Sequence, residues 1–189
     1  MNGLADIGFG SYPLPLVMFD ANVLFQAAVT RFLLGAAQSG TCRVVWTEEI
    51  AEETCRNLMA AGRPGALIAF EQNGRLVFDP VVPASSRSWA GRLLRTDPKD
   101  RHVLAAAGRN KVQVLVTDNV RDFDREEVRE LDIVIATSRE FAAHIAERFP
   151  LALVRHIERV PPERFSRYVA LLERQLPEAM ALLASYLRD

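Results

Sequence analysis

The chain has 189 residues, 49% of them hydrophobic and 25% charged, and its 23 basic side chains nearly balance its 24 acidic ones. This length and composition predict one core-forming domain with room for a small appendage. A net charge near zero excludes a broad positive potential that would attract nucleic acid. No apolar run approaches the roughly 20 residues of a membrane span, and the start of the chain lacks a secretion-signal pattern. We therefore expect a cytoplasmic protein without a membrane segment.

Short apolar runs alternate with amphipathic segments along most of the chain. In chain order, the predicted elements are a strand at 16–19, a helix from Asn22 to about Gln38, a strand at 44–46, a helix capped by Thr47 that runs to about Ala60, a helix at about 64–72, a strand at 76–78, a loop at 79–88, a helix from Asp97 to about Arg109, a strand at 112–116, a loop at 118–124, a strand at 133–135, and a helix capped by Thr137 or Ser138 that runs to about Arg148. This alternation predicts an α/β fold, with a parallel sheet covered by helices on both faces.

From about Pro161 the pattern changes to two helical segments, roughly 162–173 and 176–188, and no strand follows them. We therefore divide the chain into an α/β domain at 13–150 and a C-terminal appendage of two helices at 160–189. An apolar stripe runs along the last segment, and it suits internal packing or a partner surface; its members are Leu176, Met180, Leu183 and Leu187.

Asp20 directly follows the apolar run of the first predicted strand. In a parallel sheet the carboxyl ends of the strands meet at one edge, where ligands bind. Carboxylates that gather there repel one another unless a cation lies between them, and divalent cations such as Mg²⁺ prefer oxygen ligands. Asp20 is equally well placed to cap the helix that follows, so both roles stay open at this point.

Two further acids lie on predicted helices. Asp100 stands three residues after Asp97 and could complete a capping box, but the apolar run that follows favours a position on the buried edge that faces the sheet. Glu53 flanks the inner face of the helix that follows Thr47, which favours it over Glu52 as a site residue. Solvation on a charged helix is the alternative for either glutamate.

Polar residues cluster directly after the strand at 112–116, namely Thr117, Asp118, Asn119 and Asp122. Each is an ordinary turn residue when taken alone. Together they supply a hydroxyl, an amide and two carboxylates at one strand end, which favours a site there. The three histidines do not converge in the sequence pattern, and we assign no role to His102, although it lies close to Asp100.

These motifs resemble those of the PIN domain nucleases, and more narrowly those of the VapC-like branch of bacterial toxin–antitoxin ribonucleases, over about Pro13 to Pro150. Members carry a strand-end Asp followed by x-Asn-Val/Leu-Leu, which falls here on 20–24. They also carry a helical Glu about six residues after a Ser or Thr, which falls on Glu53. A third acid opens an Ala-rich helix, which falls on Asp100 with Ala107 seven residues later.

The last motif of many relatives is Thr-x-Asp near an Asp-Phe pair. Here it reads Thr117-Asp118-Asn119, followed by Asp122-Phe123. Asn119 stands where many relatives have Asp, so the fourth acid is Asp122 or Asp118, with Asn119 as a neutral ligand. The number of metal ions therefore stays open.

The resemblance implies a three-layer α/β/α sandwich with a central parallel sheet, a homodimer, Mg²⁺- or Mn²⁺-dependent cleavage of RNA, and a small protein antitoxin as partner. The residues that it implies as metal ligands are Asp20, Asp100 and Asp122, with Glu53 in direct or water-mediated contact. Those in supporting positions are Asn22, Thr117, Asp118 and Asn119. We also expect the RNA backbone to meet Arg101, Arg121 and Arg125.

Three alternatives remain open. A housekeeping RNA-processing nuclease of the same fold would use the same residues. A PIN-like scaffold that binds RNA or protein without cutting is favoured only by Asn119. A phosphatase with Asp20 as its nucleophile would need a second acid two residues later, where Asn22 stands.

Overall fold

The computed structural model describes residues 3–68, 70 and 91–187. Within these ranges four parallel strands form one sheet, and they are β1 (Leu16–Phe19), β2 (Arg43–Val45), β3 (Val114–Val116) and β4 (Val134–Ala136). Their order is β2-β1-β3-β4, and helices flank the sheet. The predicted α/β fold with a central parallel sheet is confirmed. The strand predicted at 76–78, the loop predicted at 79–88 and part of the helix predicted at 64–72 lie outside the described residues.

The inner strands β1 and β3 position the polar residues that follow them. Val17 of β1 lies between Val44 of β2 and Val114 of β3, and all three are buried. Strands that are buried on both faces need continuous apolar runs, which is why these segments were recognisable. Just past β1, the Asp20 amide donates to the Val116 carbonyl oxygen (3.1 Å). Asp20 is therefore held at the carboxyl end of the sheet.

The helices are α1 (Ala21–Leu24), α2 (Ala27–Gln38), α3 (Glu48–Ala60), α4 (Arg101–Arg109), α5 (Arg125–Glu130), α6 (Ser138–Arg148), α7 (Pro150–Glu158), α8 (Pro162–Gln175) and α9 (Pro177–Leu183). Residues 64–68 and 70 are also helical. Two predicted caps are confirmed. The Thr47 hydroxyl accepts from the Ile50 amide (3.2 Å) at the start of α3, and the Thr137 hydroxyl accepts from the Glu140 amide (3.2 Å) at the start of α6.

The single helix predicted from Asn22 to about Gln38 is wrong, because the chain forms α1 and α2 with a break between them. Thr30 in α2 supplies a physical reason. Its hydroxyl lies at hydrogen-bond distance from the carbonyl oxygens of Val23 (3.0 Å) and Leu24 (3.1 Å), so a side chain replaces helical amides as their partner. The break places Gln26 at a corner near the carboxyl edge of the sheet.

The helix predicted to begin at Asp97 starts one turn later, at Arg101. Asp97 instead opens a turn, since its carbonyl oxygen accepts from the amides of Asp100 (2.9 Å) and Arg101 (3.1 Å) and its carboxylate accepts from the Lys99 amide (2.9 Å). Asp100 takes the N-cap position of α4, but its side chain makes no capping hydrogen bond. The capping-box interpretation of Asp100 is therefore wrong, and its carboxylate remains available to the site.

Two helices lie where none is predicted. The first is α5, which begins after Asp124, whose carboxylate accepts from the amides of Glu126 (3.1 Å) and Glu127 (3.0 Å). The second is α7, which has Pro150 in its first turn. Both start signals are ordinary ones, but helices this short show little of the 3.6-residue period on which helix prediction depends.

The last two helices pack onto the α/β core. They correspond to the helical segments predicted after Pro161, although α9 ends at Leu183. Leu172, Leu176 and Leu183 are fully buried in the same hydrophobic cluster as the strands, and α9 contacts α6. The apolar stripe of the last segment is thus largely covered by the chain itself. In the part of the chain that the structure describes, no helix is long and apolar enough to cross a membrane.

Candidate metal centre

Asp20 is the most buried acid of the predicted site, with 4% of its surface exposed. Its Oδ1 accepts from the Ala21 amide (2.7 Å), and its Oδ2 accepts from Asn22 Nδ2 (2.7 Å) and Thr117 Oγ1 (2.7 Å). The carboxylate therefore does cap α1, but with one oxygen only. Burial raises the pKa of Asp20 above its ordinary value despite these hydrogen bonds. A buried carboxylate of this kind is stabilised by a positive partner.

Thr117 and Asn22 fix the orientation of that carboxylate. Thr117 is fully buried, and besides donating to Asp20 its hydroxyl accepts from Asn22 Nδ2 (2.9 Å) and from the Asn119 amide (3.1 Å). The other end of the Asn22 side chain, Oδ1, accepts from the Asp118 amide (2.9 Å). This network joins the end of β1 to the end of β3, as the polar residues at the two strand ends suggested.

Asp100 shows that several carboxylates converge. Its pKa is raised to about 6, first by burial and then by the negative charges of Asp20, Asp122, Asp97 and Glu53, in decreasing order. These acids come from the end of β1, the loop after β3, the turn before α4, and α3. Like charges raise a pKa in this way only when they lie near one another. The fold therefore brings all four predicted carboxylates, those of Asp20, Glu53, Asp100 and Asp122, into one electrostatic cluster.

Glu53 differs from Glu49 and Glu52, its acidic neighbours on α3, in its solvent exposure and in the charged groups near it. It is half-buried, and its charge raises the pKa of both Asp20 and Asp100. Glu52 is exposed and lies 3.8 Å from Arg56 Nη1 one turn later, in the position of a surface ion pair. Glu49 is exposed as well. The burial pattern of α3 thus turns Glu53 toward the other acids.

Asp122 and Asn119 occupy different places in the loop after β3. Asp122 ends a short 3₁₀ helix (Val120–Asp122), is half-buried, and adds to the negative charge around Asp100. Its carbonyl oxygen also accepts from the Asp97 amide (2.8 Å), which ties the loop to the turn before α4. Asn119 is exposed and contributes its backbone amide to the Thr117 hydroxyl. Asp122 thus adds its charge to the electrostatic cluster, while Asn119 is tied to the cluster through the Thr117 hydroxyl.

Asp118 points away from the cluster and joins three segments. Its Oδ2 accepts from Gln26 Nε2 (2.6 Å) and from the Ser138 hydroxyl (3.0 Å), and its Oδ1 accepts from the Ser138 amide (2.8 Å). These bonds connect the break between α1 and α2 with the start of α6. Gln26 and Ser138 did not stand out in the sequence, because their role depends on which strands are neighbours in the sheet.

The predicted substrate-binding arginines differ in their surroundings. Arg101 donates through Nε to the Thr96 carbonyl oxygen (2.9 Å) and through Nη2 to the Leu94 carbonyl oxygen (2.9 Å), so part of its hydrogen-bonding capacity is used by the backbone. Arg121 and Arg125 are exposed. His102, to which we assigned no role, is half-buried near the cluster, where its positive form would lower the pKa of Asp20.

The donor set suits a hard divalent cation. Every group in the electrostatic cluster offers carboxylate oxygen, the ligand type of Mg²⁺ and Mn²⁺, and mutual repulsion is what such an ion would offset. Among the described residues, no three side chains of His, Cys, Asp or Glu lie close enough to hold one ion directly. Because Mg²⁺ usually keeps several waters and binds only one or two carboxylates, the residues present fit a hydrated ion.

Comparison with known proteins adds one match. The model of a family described as PIN domain matches residues 16–121, which is more than half of the chain. That range includes Asp20, Glu53, Asp100 and the Thr117 motif, and it ends one residue before Asp122. No curated protein and no solved structure matches the chain. PIN domains are generally nucleases that act on RNA and need divalent metal ions.

Proposed function

Because this chain belongs to the PIN domain family, we propose that it is an endoribonuclease that hydrolyses RNA phosphodiesters with Mg²⁺ or Mn²⁺. The observation that carries this proposal is the gathering of Asp20, Glu53, Asp100 and Asp122 from separate segments around the Asp20–Asn22–Thr117 network, where burial and then mutual repulsion raise the pKa of Asp100. A protein keeps such repulsion where function requires it, and perturbed carboxylates in one place mark functional sites. The family match supplies the reaction class.

In this proposal Asp20, Asp100 and Asp122 would hold a hydrated ion, one or two of them directly and the rest through its waters, and Glu53 would contact it directly or through water. When bound, the ion supplies Lewis-acid activation of water and stabilises negative charge on the phosphate. Thr117 and Asn22 keep the Asp20 carboxylate in one orientation through the bonds described above. Such supporting hydrogen bonds keep a metal-binding side chain in the orientation that the ion needs.

We extend the proposal to a cytoplasmic toxin that is held inactive by a small antitoxin protein and acts as a homodimer. This extension is supported by the similarity of the Asp20-to-Leu24 motif to the VapC-like branch. Expression of the chain alone should arrest bacterial growth, and co-expression of a short open reading frame that overlaps the gene upstream should restore growth. A housekeeping nuclease would show neither effect.

The catalytic proposal is tested with Asp20→Asn and with the pair Glu53→Gln and Glu52→Gln. We expect Asp20→Asn and Glu53→Gln to reduce Mn²⁺-dependent cleavage of RNA by at least about a hundredfold, because each removes one charge of the metal site. Glu52→Gln makes the same chemical change one residue away on the exposed side of α3, and it should cut like the wild type. Circular dichroism confirms that the three variants are folded.

The same variants separate a nuclease from a scaffold. Millimolar Mg²⁺ or Mn²⁺ should raise the melting temperature of the wild type by binding the folded form, and Asp20→Asn should lose most of that increase. If the wild type bound RNA but neither cut it nor responded to metal, the scaffold would be the correct function. If Asp20→Asn cut as fast as the wild type, the assignment of the site would be wrong.

A further inference from the structure

A cavity of about 380 Å³ lies beside the electrostatic cluster and has the opposite charge character. Its wall includes Gln26 and Asp118, which connect it to the cluster through Asn22 and Thr117. Two arginines line it from the other side, Arg139 of α6 and Arg174 of α8. The cluster is thus centred on Asp20 at the end of β1, while Arg139 follows β4 and Arg174 reaches the same cavity from the end of α8.

We propose that Arg139 and Arg174 form a subsite for an RNA backbone phosphate next to the one that is cleaved. This inference rests on the proposed ribonuclease function and names how the substrate is held. Two strand spacings, about 10 Å, separate the end of β1 from the end of β4, a distance that one or two nucleotides of an extended strand can bridge. Arginine is the side chain best suited to such a phosphate, because its planar fork donates several hydrogen bonds.

The charges in the cavity favour an anion. Neither Arg139 nor Arg174 belongs to an ion pair among the described residues, whereas Arg95 lies within 4.0 Å of four carboxylates. Among the described residues, Asp118 is the one acid in the cavity wall, and both of its oxygens already accept hydrogen bonds from Gln26 and Ser138. Its charge is thus partly compensated before any ligand arrives.

The ends of two helices hold the arginines in place. Arg139 Nε donates to the carbonyl oxygen of Gln175 (3.1 Å), the last residue of α8, and this bond leaves the rest of the guanidinium group for a ligand. Gln175 also lines the cavity, and its Oε1 is buried with no hydrogen-bond donor among the described residues. In this proposal α8 forms a wall of the substrate cleft.

A purely structural role for the arginines is the competing explanation. Arg174 lies in the last turn of α8, where a cation stabilises the helix dipole, and Arg139 binds a carbonyl oxygen of the same helix end. Loss of these effects would lower stability without changing how RNA binding depends on salt. The two explanations are therefore separable by measurement.

The experiment compares the double variant Arg139→Gln/Arg174→Gln with Arg164→Gln/Arg167→Gln, which removes the same charge from exposed positions on α8 outside the cavity. Binding of a labelled single-stranded RNA is measured by fluorescence anisotropy in EDTA, so that cleavage does not interfere. We expect the cavity variant to weaken binding about tenfold and to reduce the slope of log K against log salt by about 0.7, since the subsite holds one phosphate and each phosphate contact contributes about 0.7 for single strands. The control variant should bind within about twofold of the wild type.

Cleavage kinetics provide the second readout. The cavity variant should raise KM with little change in kcat, because the subsite binds a phosphate that does not react. The single variant Arg174→Gln, whose side chain is exposed, keeps the test valid if Arg139→Gln impairs folding, and Arg174→Lys should restore most of the affinity.

Any of four results would overturn the inference. Equal affinity and salt slope in the cavity and control variants would show that the arginines do not bind RNA. If the cavity variant lost binding to an acidic antitoxin peptide but kept its affinity for RNA, the cavity would be a protein-binding site. If the wild type cut RNA and both double variants had its KM, the subsite alone would be wrong, whereas a wild type that neither bound nor cut RNA would refute the ribonuclease as well.

Discussion

Replacing Asp100 by Asn should stabilise the metal-free protein while abolishing its response to metal. In the folded state, burial and then the negative charges of Asp20, Asp122, Asp97 and Glu53 raise the pKa of the half-buried Asp100 to about 6. Asn has nearly the same shape but no charge, so the repulsion disappears. The residue thus destabilises the empty site and stabilises the metal-loaded one.

The size of the effect follows from the pKa. A rise from 3.8 to about 6 at 1.36 kcal/mol per pH unit gives an upper limit of about 3 kcal/mol for the ionised form. Because Asp100 is only half-buried, solvent screening reduces this to about 1–2 kcal/mol. For a chain of this length, the corresponding increase in melting temperature is about 3–6 °C.

The stability that Asp100→Asn gains over the wild type should depend on pH. Unfolded Asp100 ionises near pH 4 and folded Asp100 near pH 6, so the folded state binds the extra proton between these values. Below about pH 4, Asp100 therefore does not lower the free energy of unfolding of the wild type. The destabilisation by Asp100 grows as the pH rises to about 6 and then stays constant. Urea unfolding in EDTA, followed by tryptophan fluorescence, should show wild type and Asp100→Asn converging near pH 4 and separating fully at pH 7.5.

Glu158→Gln is the matched control, because it removes one negative charge from an exposed position at the end of α7. Its stability should stay within about 0.5 kcal/mol of the wild type at both pH values. If Asp100→Asn were no more stable than the wild type at pH 7.5 in EDTA, the carboxylates would not repel one another as described. An equal gain from Glu158→Gln would attribute the effect to net charge instead of the site.

Two further substitutions test a hydrogen bond of the site and the packing of α2 against α7. Thr117→Val leaves the buried Asp20 oxygen without its hydroxyl donor and should cost about 1–3 kcal/mol in urea unfolding as well as lowering RNA cleavage, whereas Thr117→Ser should retain most of both. Gly35→Ala would drive a methyl group into the ring of His156, which lies against this glycine, and should cost about 1–3 kcal/mol in the same unfolding assay. Gly65→Ala, in a helix where no described residue lies within 4 Å of the added methyl group, should not destabilise the protein.

Residues whose role depends on local sequence were the ones that could be predicted. A buried strand needs an apolar run, and the residue that ends the run must lie at the sheet edge, which located Asp20 and Thr117 from the sequence alone. Glu53 followed from the helical period after Thr47, and the structure places it on the half-buried side of α3. The wrong start of the helix at Asp97 has a tertiary cause, since the Asp97 amide is bound to the Asp122 carbonyl oxygen from a distant loop.

The cleft beside the site could not be predicted, because it depends on strand order. Nothing in the sequence says that β4 lies next to β3, and only that neighbour brings Ser138 to the Asp118 carboxylate. The same order places α6 and the end of α8 beside the cleft, so Arg139 and Arg174, 35 positions apart in the chain, line one cavity. If the arginines hold RNA as proposed, the C-terminal helices are part of the substrate site, and a chain truncated after residue 150 would lose that contact together with the cover over its buried core.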